Sequence, residues 1–279
     1  MKVENIDSKI NVKKNIWRKI AGRITFLGNV YSKIPFYLVN ENTMDRISPP
    51  EKTFDEECLK KILERYGEEK ERKIEYLERI WENIRDCRTK VYVKLGCYSK
   101  NGVSFLNINE PSIFICPERI YNQKSNPDII FQNVAIHELV HAYINREYKN
   151  DYEKIIEESL ANAIAFLHFK DDEKEDIIEF IKEQPIEYKG CYFWLKYNDE
   201  FFNLYHILSF WKRNKFLNLL RACFHYWYEL PFRCGFFLFF PFKIYPFEII
   251  EEIYENFRKT NDITPFLKLI SIDILKEVI

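Results

Sequence analysis

The stretch "VAIHELVHAYIN", residues 134–145, sets two of the chain's five histidines four residues apart, with a glutamate directly after the first. At about 100° per residue, His137 and His141 project from one helix face, one turn apart. Both imidazoles can then reach a single ion at the zinc–nitrogen distance of about 2.0–2.1 Å. Glu138 points to the adjacent edge, where it can take a proton from a water beside the ion without being a ligand. The competing reading is two packed histidines met by coincidence. A chance H-E-x-x-H arises on the order of once in a hundred such sequences, so the pattern is informative without deciding the matter. Val134, Ile136, Leu139, Val140, Tyr143 and Ile144 make the helix apolar on most sides, which puts the polar triplet inside the protein or along a cleft. Buried polar groups need partners, and one metal ion satisfies all three.

The elements that must position this triplet are legible on both sides of it. Asn126-Pro127-Asp128 supplies an N-cap followed by proline at the first helical position, and the helix it opens is expected to run to about Tyr148. A second helix is expected from about Tyr152 to Phe169, "YEKIIEESLANAIAFLHF", and the acidic segment "KDDEKEDIIEFIKE" leads to another. Upstream, residues 90–119 change period. "KVYVKLGCY" alternates, Asn101-Gly102 is a hairpin-type turn, and "SIFIC" reads as a strand. That strand is either an edge able to accept an extended peptide or an interior strand. Earlier still, Leu59, Ile62, Leu63, Ile74, Leu77, Ile80 and Ile84 mark scaffolding helices between Phe54 and Cys87, with Gly67 as a dividing point. Residues 23–40 suggest a strand or two.

A catalytic zinc has three protein ligands and an open position. "EESLANAIA", starting sixteen residues after His141, offers an acidic pair on a helix. The run His137-Glu-Leu-Val-His141 followed by Glu158-Ser-Leu-Ala-Asn162 resembles the gluzincin branch of zinc metallopeptidases, with their H-E-x-x-H, second helix and E-x-x-x-D. The resemblance covers roughly residues 103–169. It implies His137, His141 and Glu158 as ligands of one Zn²⁺ per chain, Glu138 as general base, and Asn162 as the group that orients a ligating histidine. Asn162 stands where aspartate is commoner and would act without charge. The residues after His141, "AYINREY", offer neither the glycine nor the third histidine of the metzincin variant. Glu158 is preferred to Glu157 because it shares a helix face with the small Ala161 and Ala165 and with Asn162, whereas Glu157 lies with Leu160, Ala161 and Ile164. Enzymes of this type often add a Tyr or His donor to the oxyanion. Tyr205, His206 and His225 are candidates that no motif separates, and His168 reads as a helix-end or core histidine.

With 279 residues, 47% of them hydrophobic and 17% aromatic, the chain can bury a substantial core. Its 42 basic and 43 acidic side chains give a net charge of −1, so no global field draws it to nucleic acid or anionic lipid. The first 25 residues are locally basic, and Ile10, Val12, Ile16, Trp17 and Ile20 share a loose helix face. A docked helix with a solvated charged side explains them best. "CGFFLFFPFKIYPF", residues 234–247, falls short of the roughly 20 apolar residues of a membrane span. Seven scattered cysteines, never paired as C-x-x-C, read as buried free thiols of a reducing compartment, and the polar N-terminus lacks a secretion signal, which together point to the cytoplasm.

The expected fold is α+β and zincin-like: a small mixed or antiparallel sheet packed on the H-E-x-x-H helix, with a mainly helical, aromatic-rich C-terminal part. The expected divisions are residues 1–53, a metal-binding core at 54–170, and a helical portion at 171–279. Two functions compete, with a nucleic-acid module built on the basic N-terminal segment a weaker third. One is a zinc metallopeptidase acting on a peptide or protein substrate; the other is a non-catalytic binding protein on the same scaffold. Nothing in the sequence fixes an oligomeric state.

Overall fold

The computed structural model describes residues 1–68, 74–123, 126–148, 150–196, 198, 204–212, 247–260 and 262–279. The architecture is α+β with a small mixed sheet. Strands β1 (Val3–Asn5), β2 (Phe36–Leu38) and β6 (Ser112–Ile115) run parallel, and β5 (Gly96–Ser99) closes the order β1-β2-β6-β5 antiparallel to β6. A two-stranded pairing joins β3 (Glu51–Thr53) to β4 (Lys90–Tyr92). "SIFIC" is therefore an interior strand, buried at all four β6 residues, and the sheet edge nearest the motif in pairing order is β5.

The described residues form two compact units: 1–52 with 91–147 and 161–189, and 53–90 with 148–160 and 190–279. Each gathers segments from both sides of the histidine motif, so neither coincides with a consecutive stretch such as 1–53, 54–170 or 171–279. The first unit holds the four-stranded sheet with α1 (Lys14–Arg23), α2 (Val30–Lys33), α3 (Glu41–Ile47), α6 (Pro117–Tyr121), α7 (Pro127–Ile144), α9 (Asp171–Lys182) and α10 (Ile186–Lys189). The second is helical: α4 (Glu56–Glu68), α5 (Ile74–Asp86), α11 (Cys191–Lys196), α12 (Leu204–Lys212), α13 (Phe247–Thr260) and α14 (Thr264–Lys276). Helix α8 (Asp151–Leu167) contributes residues to both.

In the first unit α7 is the central helix, packed on β5 and β6 and flanked by α1, α2, α6 and α9. Fourteen of its eighteen residues are buried, which explains why its hydrophobic pattern shows no single face: a helix covered on all sides is apolar all round. Alternation along β2 sends Phe36 to one side, edge-on to Trp17 of α1 at 5.2 Å, while Trp17 also meets Phe131 of α7 at 5.2 Å. Tyr37 faces the other way and stacks on its register partner Phe114, in a cluster with Val39, Met44, Ile108 and Cys116. The basic N-terminal helix is thus docked, with Ile16 and Ile20 buried.

Several local expectations are corrected. Residues 23–40 do hold one strand, Phe36–Leu38, but Thr25–Leu27 is a 3-10 turn and Val30–Lys33 a single helical turn. "KVYVKLGCY" divides into β4 and β5 because the Lys94 carbonyl accepts from Arg119 Nη1 at 2.8 Å instead of from a strand. Arg119 also pairs with Asp45 at 2.7 Å, so this break is anchored. Gly102 does take a positive φ of 72°, and a Cβ there would lie 2.3 Å from the Ile108 carbonyl oxygen. The turn it serves belongs to a longer connection closed by a Val103–Ile108 bridge, not to a two-residue hairpin. Helix α7 stops at Ile144, four residues before Tyr148, because Asn145 adopts the left-handed conformation at φ 49° and its N–H bonds to the His141 carbonyl.

The cysteines are not all free. In the second unit Cys58 and Cys87 form a disulfide that ties α4 to the residue after α5. Cysteine usage therefore gives no argument for a reducing compartment. Cys97, Cys116 and Cys191 form no disulfide among the described residues, and Cys223 and Cys234 lie outside them. Among the described residues no helix is long and apolar enough to cross a membrane. The aromatic stretch 234–247 lies outside them, apart from Phe247 at the start of α13.

Candidate metal centre

Helix α7 begins as the sequence dictates. Pro127 occupies its first position, and the Asn126 side chain accepts from the Asp128 N–H at 3.2 Å, capping an otherwise orphan donor. From this start, turn arithmetic fixes the histidines. Their Nε2 atoms face each other at 2.9 Å, with ring centroids 4.6 Å apart. Two nitrogens on one tetrahedral ion with bonds of about 2.0–2.1 Å stand about 3.3 Å apart, so the pair converges much as two ligands of one ion do.

The third group is Glu158 on α8. One ligand atom from each of His137, His141 and Glu158 lies within 4.8 Å of the others. The three are 5%, 9% and 3% exposed, so water does little to stabilise a carboxylate there and a cation would. Two imidazoles and a carboxylate are a borderline donor set that suits zinc. Of the two adjacent acids, Glu158 joins the histidines; Glu157 is equally buried but is not part of the group.

Glu138 sits beside this group on the wall of a cleft. Its position depends on Gly96, the first residue of β5. A Cβ on Gly96 would lie 2.9 Å from Glu138 Cγ and from Val134 Cγ1, and 3.0 Å from Glu138 Oε1. Only a glycine lets the strand approach α7 this closely at the carboxylate.

The cleft lies within the first unit. Besides Gly96, His137 and Glu138 it is lined by Tyr92, Leu95, Asn133, Val134, Asn162, Phe180, Gln184 and Tyr188. The Tyr188 ring lies 5.5 Å from that of His137 and 5.7 Å from that of Tyr92. Tyr92 donates to Gln184 Oε1 at 2.8 Å, joining the residues before β5 to the loop before α10.

Asn162 lines this cleft. It makes no hydrogen bond to either histidine among the described residues; its Nδ2 donates to the Tyr188 carbonyl at 3.2 Å. Helix α10 is only four residues long, so none of its carbonyls has a full set of helical partners, and an amide one layer away satisfies one of them. Asn162 therefore positions the Tyr188 segment. Tyr205, expected as an oxyanion donor, is 39% exposed on α12 and is not among the cleft residues. The side chain of His206 and all of His225 lie outside the described residues.

Other chemistry-bearing groups are set aside by their surroundings. His168, just past α8, stacks on Phe26 at 4.1 Å. Burial, with the Arg23 charge beside it, pushes its imidazole down to about 4, so it is a neutral core histidine. Burial pushes the Cys116 thiol up to about 11 and that of Cys191 to about 12, which makes both poor nucleophiles.

Sequence reasoning missed Gly96, Asn133, Gln184 and Tyr188. Asn133 was within reach, since it precedes His137 by four and must share its face. Gln184 and Tyr188 arrive by tertiary packing after α9 and carry no local signal. Compared with known protein families, curated proteins and solved structures, the chain matches none.

Proposed function

We propose that this protein is a zinc-dependent metallopeptidase of gluzincin type, zincin-like in fold. The observation that carries the reading is the convergence of His137, His141 and Glu158 with Glu138 beside them on a cleft wall. The sheet supports it as well: three parallel strands with an antiparallel edge, β5, packed on the H-E-x-x-H helix. His137, His141 and Glu158 would hold a zinc ion, which would supply Lewis-acid chemistry toward a scissile carbonyl and a nearby water.

The chain's own residues do the remaining work. Glu138 accepts the proton of the attacking water and returns it to the leaving amine, so one carboxylate serves as base and then as acid. Gly96 holds that carboxylate in place by allowing β5 close to it. The outer edge of β5 pairs with no described strand, and an extended substrate adding there would be fixed by main-chain hydrogen bonds.

The test is Glu138→Gln against a broad peptide library. The amide keeps the shape and cannot take a proton, so the variant retains wild-type zinc content and loses about 10²- to 10⁴-fold in cleavage rate. Wild-type cleavage by Glu138→Gln removes the mechanism. A wild type that binds zinc and cleaves nothing favours the binding-protein function instead.

A further inference from the structure

The cleft beside Glu138 holds an amide group whose donor is unspent. Asn133 is 1% exposed, and its Nδ2 is buried with no hydrogen-bond partner among the described residues. Gln184, on the same wall, is 7% exposed and its Oε1 accepts from Tyr92. Leaving a buried N–H₂ unsatisfied costs on the order of 1–3 kcal/mol, which proteins tolerate chiefly where a ligand or water completes the bond.

The rest of the wall narrows what that ligand can be. Tyr92, Leu95, Val134, Phe180 and Tyr188 are uncharged, and the two ionisable groups present, His137 and Glu138, already belong to the site. A charged substituent entering here would lose its hydration and meet no free counter-charge. An uncharged one with a carbonyl oxygen would satisfy Asn133. Asn133 stands one turn before His137, about 6 Å along the helix axis, close to the spacing of alternate residues in an extended chain, about 6.8 Å.

We propose that this cleft is a substrate subsite for an uncharged, carbonyl-bearing group, a peptide group or side-chain carboxamide, and that Asn133 is the residue that binds its oxygen. The assignment rests on the peptidase reading for the identity of the substrate, but its geometry requires neither metal nor turnover. It distinguishes a glutamine side chain from the isosteric glutamate, and it ranks Asn133 as a determinant of substrate selection distinct from Glu138.

The experiment measures equilibrium binding of N-acetyl-glutamine N-methylamide and its glutamate counterpart to the full chain by ligand-observed NMR, as purified and again after metal chelation. The glutamine derivative binds the wild type at least about tenfold more tightly than the glutamate derivative, with or without metal. Asn133→Leu, of similar volume, weakens the glutamine derivative about tenfold and collapses the ratio. Asn133→Asp, which replaces the donor by an acceptor, serves as the second variant and gives the same loss. Equal binding of the two derivatives, no binding of either, or wild-type selectivity in a folded Asn133 variant overturns the proposal. Because cleavage is not read, failure of the peptidase reading shows separately, in the Glu138→Gln comparison.

Discussion

Glu157 and Glu158 are adjacent, both acidic and both buried, yet a helix turns about 100° between them and only one meets the histidines. Face composition in the sequence was enough to choose, because Ala161, Asn162 and Ala165 are small and share the Glu158 face. The choice has a measurable consequence. Glu158→Ala lowers zinc affinity by more than about a hundredfold, beyond the 10- to 100-fold typical of groups that only support a ligand. Glu157→Ala leaves zinc occupancy of the folded protein near wild type. Loss in Glu157→Ala with retention in Glu158→Ala, read by competition with a chromogenic chelator, contradicts the assignment. At Asn162 the same reasoning reached only part of the way. Its place one turn after Glu158 was legible, but its partner was not, because the Tyr188 carbonyl comes from a segment that no spacing rule ties to α8.

Elements whose ends carry local chemistry were the legible ones. Asn126 and Pro127 start α7 where capping rules place it, and α8 and α9 follow the apolar period and the acidic first turn. What the sequence hid was pairing. "SIFIC" read as a strand, but whether it was an edge depends on β2 and β5, which lie 74 and 13 or more residues earlier in the chain and announce no partner. Gly96 shows how far an element's position can rest on one residue. Gly96→Ala places a methyl 2.9 Å from Glu138 Cγ and forces the strand or the carboxylate to move. A misplacement of about 1 Å costs about a hundredfold in rate. The expected outcome is therefore a cleavage rate reduced about ten- to a hundredfold with zinc content unchanged, measured by steady-state kinetics and metal analysis of the same sample. An unchanged rate shows that Glu138 is not held by this contact.

At the scale of the molecule, the two units and the Cys58–Cys87 bond were beyond the sequence. Their members are separated along the chain, and a spacing of 29 residues matches no cysteine motif. Closing a loop of that length restricts the unfolded chain and stabilises the fold by about 3–4 kcal/mol in the chain-entropy account. Cys58→Ser/Cys87→Ser should lower the unfolding free energy by about that amount in urea titration while zinc content persists; an unchanged midpoint would show that the bond constrains nothing. The metal centre is the claim on which the functional account turns. It is tested most directly by native mass spectrometry of the purified full chain beside His137→Ala and His141→Ala. The account predicts one zinc per wild-type chain and none in either variant; a metal-free wild type in zinc-containing buffer, or variants that keep the wild-type ion, would contradict it.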